Sequence, residues 1–204
     1  MDKMGGGNAD GKLQKHAVRR LASRIKVCEV VDSLRKTADF TDGDCRLAAP
    51  LTLYQTTIKP EWIDFYDHMN VAYYVMVCDE ATGAFWDHVH DGKTIKERDG
   101  AELVVLESHV NYVKEVRLGD PVKVTTQLLE VDDKRLRLFH TMLHATEGFV
   151  AATNEIKAIG FDLGQRRIMS FRPAARACLQ DIWQEHQSLP QPVGAGQGIA
   201  LKKR

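Results

Sequence analysis

The sequence predicts an α+β domain in which an antiparallel sheet wraps one long helix. Three observations carry this expectation. The stretch PEWIDFYDHMNVAYYVMVCDEATGAFW, Pro60 to Trp86, becomes apolar on nearly every side once it turns helical, and such a helix must be covered by other structure. Four runs of strand character then follow one another across short turn signals, the pattern of antiparallel neighbours. One strand before the helix and a second helix after the last strand complete the arrangement.

At the N-terminus, MDKMGGGNADGK is small, polar and glycine-rich, too poor in apolar surface to offset the entropy of ordering. From Leu13, the positions Leu13, Ala17, Leu21, Ile25, Cys28, Val31 and Leu34 recur at helical spacing, which predicts an amphipathic helix. Lys12 to Lys26 holds six basic residues and no acid, a composition like a transit peptide's that Glu29 and Asp32 interrupt. Packing on the domain or on a partner subunit is the plainer role for it. Asp, Gly and Pro between Thr37 and Pro50 mark a linker. Residues 1–48 are therefore expected to form a partly disordered extension with an amphipathic helix, residues 49–165 the main domain, and residues 166–204 a C-terminal helix and tail packed on it.

Within the domain, LTLYQTTI alternates as a strand, and Pro60 ends it. Along the helix, Val71, Tyr74, Val75, Cys78, Ala81, Phe85 and Val89 share one stripe, while Met69, Ala72, Tyr73, Met76 and Val77 fill much of the remaining surface. The four later strands read as a meander over about Leu103 to Val116, Val122 to Val131, Arg135 to Thr146 and Phe149 to Phe161, the first three closed by LGDP, DDK and EG. After GQRR, Pro173 to Gln187 reads as a helix with proline in its first turn, and Pro190 and Pro192 end it.

Composition excludes several classes of function. A chain of 204 residues is most simply one domain with decorated ends. Its 28 basic and 28 acidic residues balance, so no global field exists to hold nucleic acid or an anionic membrane. The longest apolar run, Val71 to Cys78, is far short of the roughly 20 residues that cross a bilayer. Cys28, Cys45, Cys78 and Cys178 lie far apart with no CxxC spacing, which argues for neither a zinc site nor a disulfide framework. A soluble protein of a reducing compartment, most simply the cytoplasm, is expected.

Asp64, Asp67, His68 and Asn70 crowd the start of the helix, where four backbone N–H groups lack intrahelical partners. Asp67 is the natural N-cap, and Asn70 can bond back to the start of the turn. Asp64 comes too early to cap. A carboxylate beside oriented N–H donors and the positive end of a helix is the equipment of acyl transfer. Asp64 would serve as general base or nucleophile, and the amides after His68 would polarise a carbonyl.

The string DFYDHMNVAYY resembles the D-x-x-G-H-[VM]-N-N-A-x-Y signature of hotdog-fold acyl-CoA thioesterases of the 4-hydroxybenzoyl-CoA thioesterase type. The later strings ESHVNYVKEVRLGDPV, DDKRLRLFHTMLHATEG, RRIMSFRP and LPQPVGAGQGIAL are similar to the carnitine-dehydrogenase-associated thioesterases that hydrolyse betainyl-CoA. The resemblance implies a hotdog fold, with five antiparallel strands around the helix, and hydrolysis of a short acyl-CoA, betainyl-CoA foremost. It puts the catalytic carboxylate on Asp64, with His68 and Asn70 as the histidine and first asparagine of the motif. Asp67 replaces the usual glycine and Val71 the second asparagine, so the identity of the oxyanion donor stays open.

On the first meander strand, Glu107, His109 and Asn111 alternate onto one face. They form either a solvated outer face or, as the resemblance implies, the edge of a site between subunits where Glu107 or His109 orders water or substrate. A trimethylammonium acyl group would want aromatic faces, for which Trp62, Tyr66, Tyr73, Tyr74 and Trp86 are available, although core packing would claim most of them. Lys134, Arg135, Arg166 and Arg167 are the cations available for coenzyme A phosphates. His140 and His144 read as ordinary strand residues, so no metal is expected, and no cofactor beyond the CoA thioester substrate. A lone sheet around one helix leaves an edge strand and a helix flank uncovered, which implies a homodimer or a dimer of dimers. Two other functions fit the same pattern: a hotdog-fold acyl-thioester hydratase or dehydratase, and a non-catalytic acyl-CoA-binding protein.

Overall fold

The computed structural model describes residues 50–199; the amphipathic helix expected from Leu13 lies outside them. Strand β1 (Leu51–Thr57) leads through a single 3₁₀ turn, Pro60–Trp62, to helix α1 (Val71–Val89). Strands β2 (Ala101–Tyr112), β3 (Pro121–Val131), β4 (Arg135–His144) and β5 (Val150–Asp162) follow. A two-residue strand β6 (Arg167–Ile168) and helix α2 (Pro173–His186) complete the order. No helix among the described residues is long and apolar enough to cross a membrane.

All strands belong to one antiparallel sheet with the order β1-β3-β4-β5-β2, and β6 adds to β5. This corrects the expected four-strand meander. Only β3, β4 and β5 are joined as successive neighbours; β2 lies at the far edge, paired with β5 from Ala101↔Asp162 to Tyr112↔Ala152. The connection from β2 to β3 therefore crosses the end of the sheet, and on its way Val116 is fully buried and its carbonyl accepts the Met69 N–H at 3.0 Å. Turn residues such as Gly119, at φ 85°, mark a change of direction but carry no information about which strand lies alongside.

Helix α1 buries Tyr74, Val77, Cys78, Ala81, Thr82, Phe85, Trp86 and Val89 against the sheet, at the three- and four-residue spacing of one helical face. Its apolar character is not matched by cover on all sides, because Val71 and Val75 are exposed. Helix α2 adds Ala175, Leu179 and Ile182 to the core formed by Phe85, Trp86, Val89 and Leu138. It also completes an edge. The pairing of β1 with β3 begins at Leu51↔Thr126, and beyond it the Leu128 N–H donates instead to His186 Nδ1 at 2.8 Å. Gly160 lets the chain return over β5, since a Cβ there would sit 2.7 Å from the Met169 carbonyl oxygen.

Candidate active site

A tight hairpin delivers the chain to the head of α1. Ile63 and Met69 form an antiparallel bridge, the Asp64 N–H donates to the His68 carbonyl at 3.0 Å, and the Asp67 N–H donates to the Asp64 carbonyl at 3.1 Å. Asp67 has φ 64°, the left-handed residue that closes a three-residue hairpin loop. Glycine adopts this conformation freely, and Asp is among the few other residues that tolerate it. Asp67 is thus a turn residue and not the helix cap expected from its position. Asn70 holds the cap, its Oδ1 accepting the Ala72 N–H at 3.0 Å, because the hairpin consumes residues 64–68 before the helix begins at Val71.

The same turn orients Asp64. Its Oδ1 accepts the Tyr66 N–H at 2.9 Å, which aims a half-buried carboxylate from the base of a short, bonded loop. The amides around the helix start can be accounted for one by one. Met69 donates to the Val116 carbonyl, Asn70 to the Trp62 carbonyl and Tyr73 to the Asn70 carbonyl, while Ala72 is capped. Among the described residues the Val71 N–H alone in this run has no acceptor, at the positive end of a 19-residue helix. His68 Nε2 lies 3.0 Å from Glu115 Oε2. Asp64 and His68 therefore belong to one hairpin, and Asn70 caps the helix that leaves it.

The aromatic candidates divide. Trp62 and Tyr73 stack with ring centroids 5.8 Å apart, but Trp62 is buried and the Lys59 ammonium already lies 5.0 Å over its ring. Tyr66 is exposed at the hairpin tip against Phe65. Tyr74 is core: its hydroxyl accepts the Val116 N–H at 3.3 Å, its ring meets Tyr112 edge-on, and burial raises its pKa. Trp86 is also core, against Phe171.

Glu107 and His109 stand opposite Lys157 and Glu155 on β5, on the sheet face turned away from α1, and Glu107 pairs with Lys157 Nζ at 2.8 Å. Lys134 lies in the β3–β4 turn and Arg135 opens β4, while Arg166 lies in the β5–β6 turn and Arg167 opens β6. Asp132 engages Arg135 through Nη2 at 2.6 Å, and the Arg166 guanidinium lies over Phe161 at 5.6 Å. These four cations sit at the opposite end of the sheet from Asp64, separated by the ten residues of β4, about 30 Å of strand. Within one chain they do not meet the carboxylate.

His140 is fully buried, with Nε2 3.0 Å from Thr82 Oγ1 and Nδ1 3.0 Å from Thr126 Oγ1. His144 closes its own turn, Nδ1 accepting the Glu147 N–H at 3.2 Å. Glu115 escaped the sequence reading because the strand signal was carried through to Val116, which makes Glu115 one more polar strand position. The LGDP turn just beyond it marks a connection, and the identity of the partner depends on the crossover.

One antiparallel sheet around one helix, with a carboxylate and an unclaimed amide at the helix head, is equipped for acyl transfer, and the chain belongs to the thioesterase-like superfamily, whose family model matches residues 58–179, as a hotdog-fold thioester hydrolase. More particularly, it is similar to the betainyl-CoA thioesterase of Pseudomonas aeruginosa, 34% identical over 151 residues that cover 74% of this chain and 95% of that one. It is 30% identical over 164 residues to the L-carnitine dehydrogenase/betainyl-CoA thioesterase of Agrobacterium fabrum, covering 79% of this chain and 34% of that longer protein. A Staphylococcus aureus protein solved in complex with CoA superposes with a TM-score of 0.68 at 26% identity, covering 77% of this chain and 99% of the other.

Proposed function

We propose that this acyl-CoA thioesterase hydrolyses betainyl-CoA to glycine betaine and free CoA at the Asp64 hairpin. Asp64 either attacks the thioester carbonyl, expelling the CoA thiolate and leaving an acyl-aspartate that water cleaves, or takes a proton from the water that attacks directly. The Val71 N–H would hold the developing oxyanion. A thioester carbonyl is already electrophilic, so the reaction asks for no further cofactor. The observation that carries the chemistry is the oriented Asp64 carboxylate on the hairpin that leads into a helix head with an unclaimed amide; the choice of acyl group rests on the P. aeruginosa relative.

A homodimer in a reducing compartment is part of the same reading. Val104, Val105 and Leu106 on the edge strand β2 are exposed, as are Val71 and Val75 on α1, and a second copy would cover both. Antiparallel pairing along β2 would carry the other copy's far-end cations, those of the Arg166–Arg167 turn, toward this copy's Asp64 and supply a charge for the coenzyme phosphates.

Thiol release measured over a panel of short and aromatic acyl-CoAs tests the proposal. Betainyl-CoA is expected to give the highest kcat/KM, and Asp64→Asn to lower turnover by about 10²–10⁴-fold with the fold unchanged. Near-full turnover by a folded Asp64→Asn protein would remove Asp64 from the mechanism, and a different preferred acyl group would overturn the substrate.

A further inference from the structure

We propose that Glu115 is a positioning residue for His68, holding the imidazole as its Nε2–H tautomer so that Nδ1 is left free to accept and return a proton at the helix head. The inference rests on the thioesterase reading and adds to it a residue that the motif does not contain.

The two oxygens of Glu115 have separate partners. Oε2 lies 3.0 Å from His68 Nε2 and Oε1 lies 2.9 Å from Arg117 Nη2. As a half-exposed ion pair this would contribute little to stability. Its value lies in orientation, because both partners ride on pinned backbone. On one side, Val113 and Lys114 donate to the Ala151 carbonyl at 2.9 and 3.1 Å, and Val116 accepts from Met69 and donates to the buried Tyr74 hydroxyl. On the other, the His68 carbonyl accepts the Asp64 N–H, so the imidazole and the Asp64 carboxylate belong to one bonded turn. The crossover that carries Glu115 is thus tied to the sheet, to α1 and to the hairpin at once.

The chemistry gives that arrangement a use. A neutral imidazole has one N–H and one lone pair, and the partner of one ring nitrogen decides what the other can do. A carboxylate at Nε2 selects the N–H there and leaves Nδ1 as base. In the acyl-aspartate route the CoA thiolate leaves first; Nδ1 then takes a proton from the water that cleaves the intermediate and gives it up to that thiolate or to solvent, with no net change in the protonation of His68 over the cycle. Carboxylate, imidazole and reacting group then form the chain of roles used in hydrolytic triads, with Glu115 acting only through His68.

The test compares Glu115→Ala and Glu115→Gln in the full chain, each also with His68→Gln, by thiol-release kinetics on the acyl-CoA panel and by nitrogen-15 NMR of labelled histidine where imidazoles are neutral. His68→Gln assigns the His68 signals. Glu115→Ala is expected to lower kcat at least about tenfold with KM changed less than about twofold, and to mix the His68 tautomers. Glu115→Gln keeps an acceptor and should recover most of the loss, which also provides a folded variant if Glu115→Ala does not fold. In the His68→Gln background, Glu115→Ala should add nothing. An unchanged His68 tautomer in Glu115→Ala, or an equal loss with and without His68, would overturn the proposal. Absence of thioesterase activity in the wild type would instead overturn the functional reading, and the tautomer measurement would still decide the role of Glu115.

Discussion

His140 offers a test of how the sheet holds the helix. The Thr82 hydroxyl donates to the Cys78 carbonyl at 3.0 Å, so it must accept from His140 Nε2–H, and in the neutral ring Nδ1 accepts from the Thr126 hydroxyl. Complete burial disfavours the charged ring and lowers its pKa from 6.5 to about 4. Between those values the unfolded chain binds a proton that the folded chain refuses. Stability is accordingly full above about pH 6.5, falls as pH drops toward 4, and levels off once both states are protonated. The whole span corresponds to about 3 kcal/mol. Burial also lowers His88, His90 and His186, which act in the same sense, so the His140 share must be isolated. His140→Gln keeps a donor and an acceptor for the two threonines but cannot titrate. In urea unfolding from pH 7.5 to pH 4, the wild type is expected to lose about 3 kcal/mol more than His140→Gln. The same pH dependence in both proteins would refute the buried neutral imidazole.

Two further expectations concern the hairpin and the sheet edge. Asp67→Gly should raise stability by about 0.5–1 kcal/mol by removing a left-handed non-glycine residue, whereas Asn70→Ala should cost about 1 kcal/mol through loss of the cap. If Asp67 were the cap, thermal melts would show Asp67→Gly destabilised and Asn70→Ala close to wild type. Leu106→Asp, on the exposed stretch of β2, should convert a dimer to monomers in light scattering and weaken CoA binding with it; a wild type that is monomeric at micromolar concentration would sink the dimeric site.

Several elements are legible in the sequence. The observed bounds of β3, β4 and β5 depart from the alternation and turn signals by one or two residues, and proline sits at the start of α2 as its sequence pattern required. These are local properties: the period of apolar residues and the chemistry of Gly, Asp and Pro are written in consecutive positions. The polar start of α1 is legible as a cluster, because Asp64, Asp67, His68 and Asn70 are close in sequence, but the turn that Asp67 closes is not.

What local pattern cannot carry is which distant segments touch. The place of β2 beyond β5 and the arrival of Glu115 at His68 depend on one crossover past the head of α1, and the separation of the four candidate cations from Asp64 on which ends of the paired strands lie together. Asp67 illustrates the boundary between the two. Its residue type suits both a helix cap and a left-handed turn, and only the pairing of Ile63 with Met69 selects the turn, because that bridge leaves the chain just enough residues to reverse and moves the cap to Asn70.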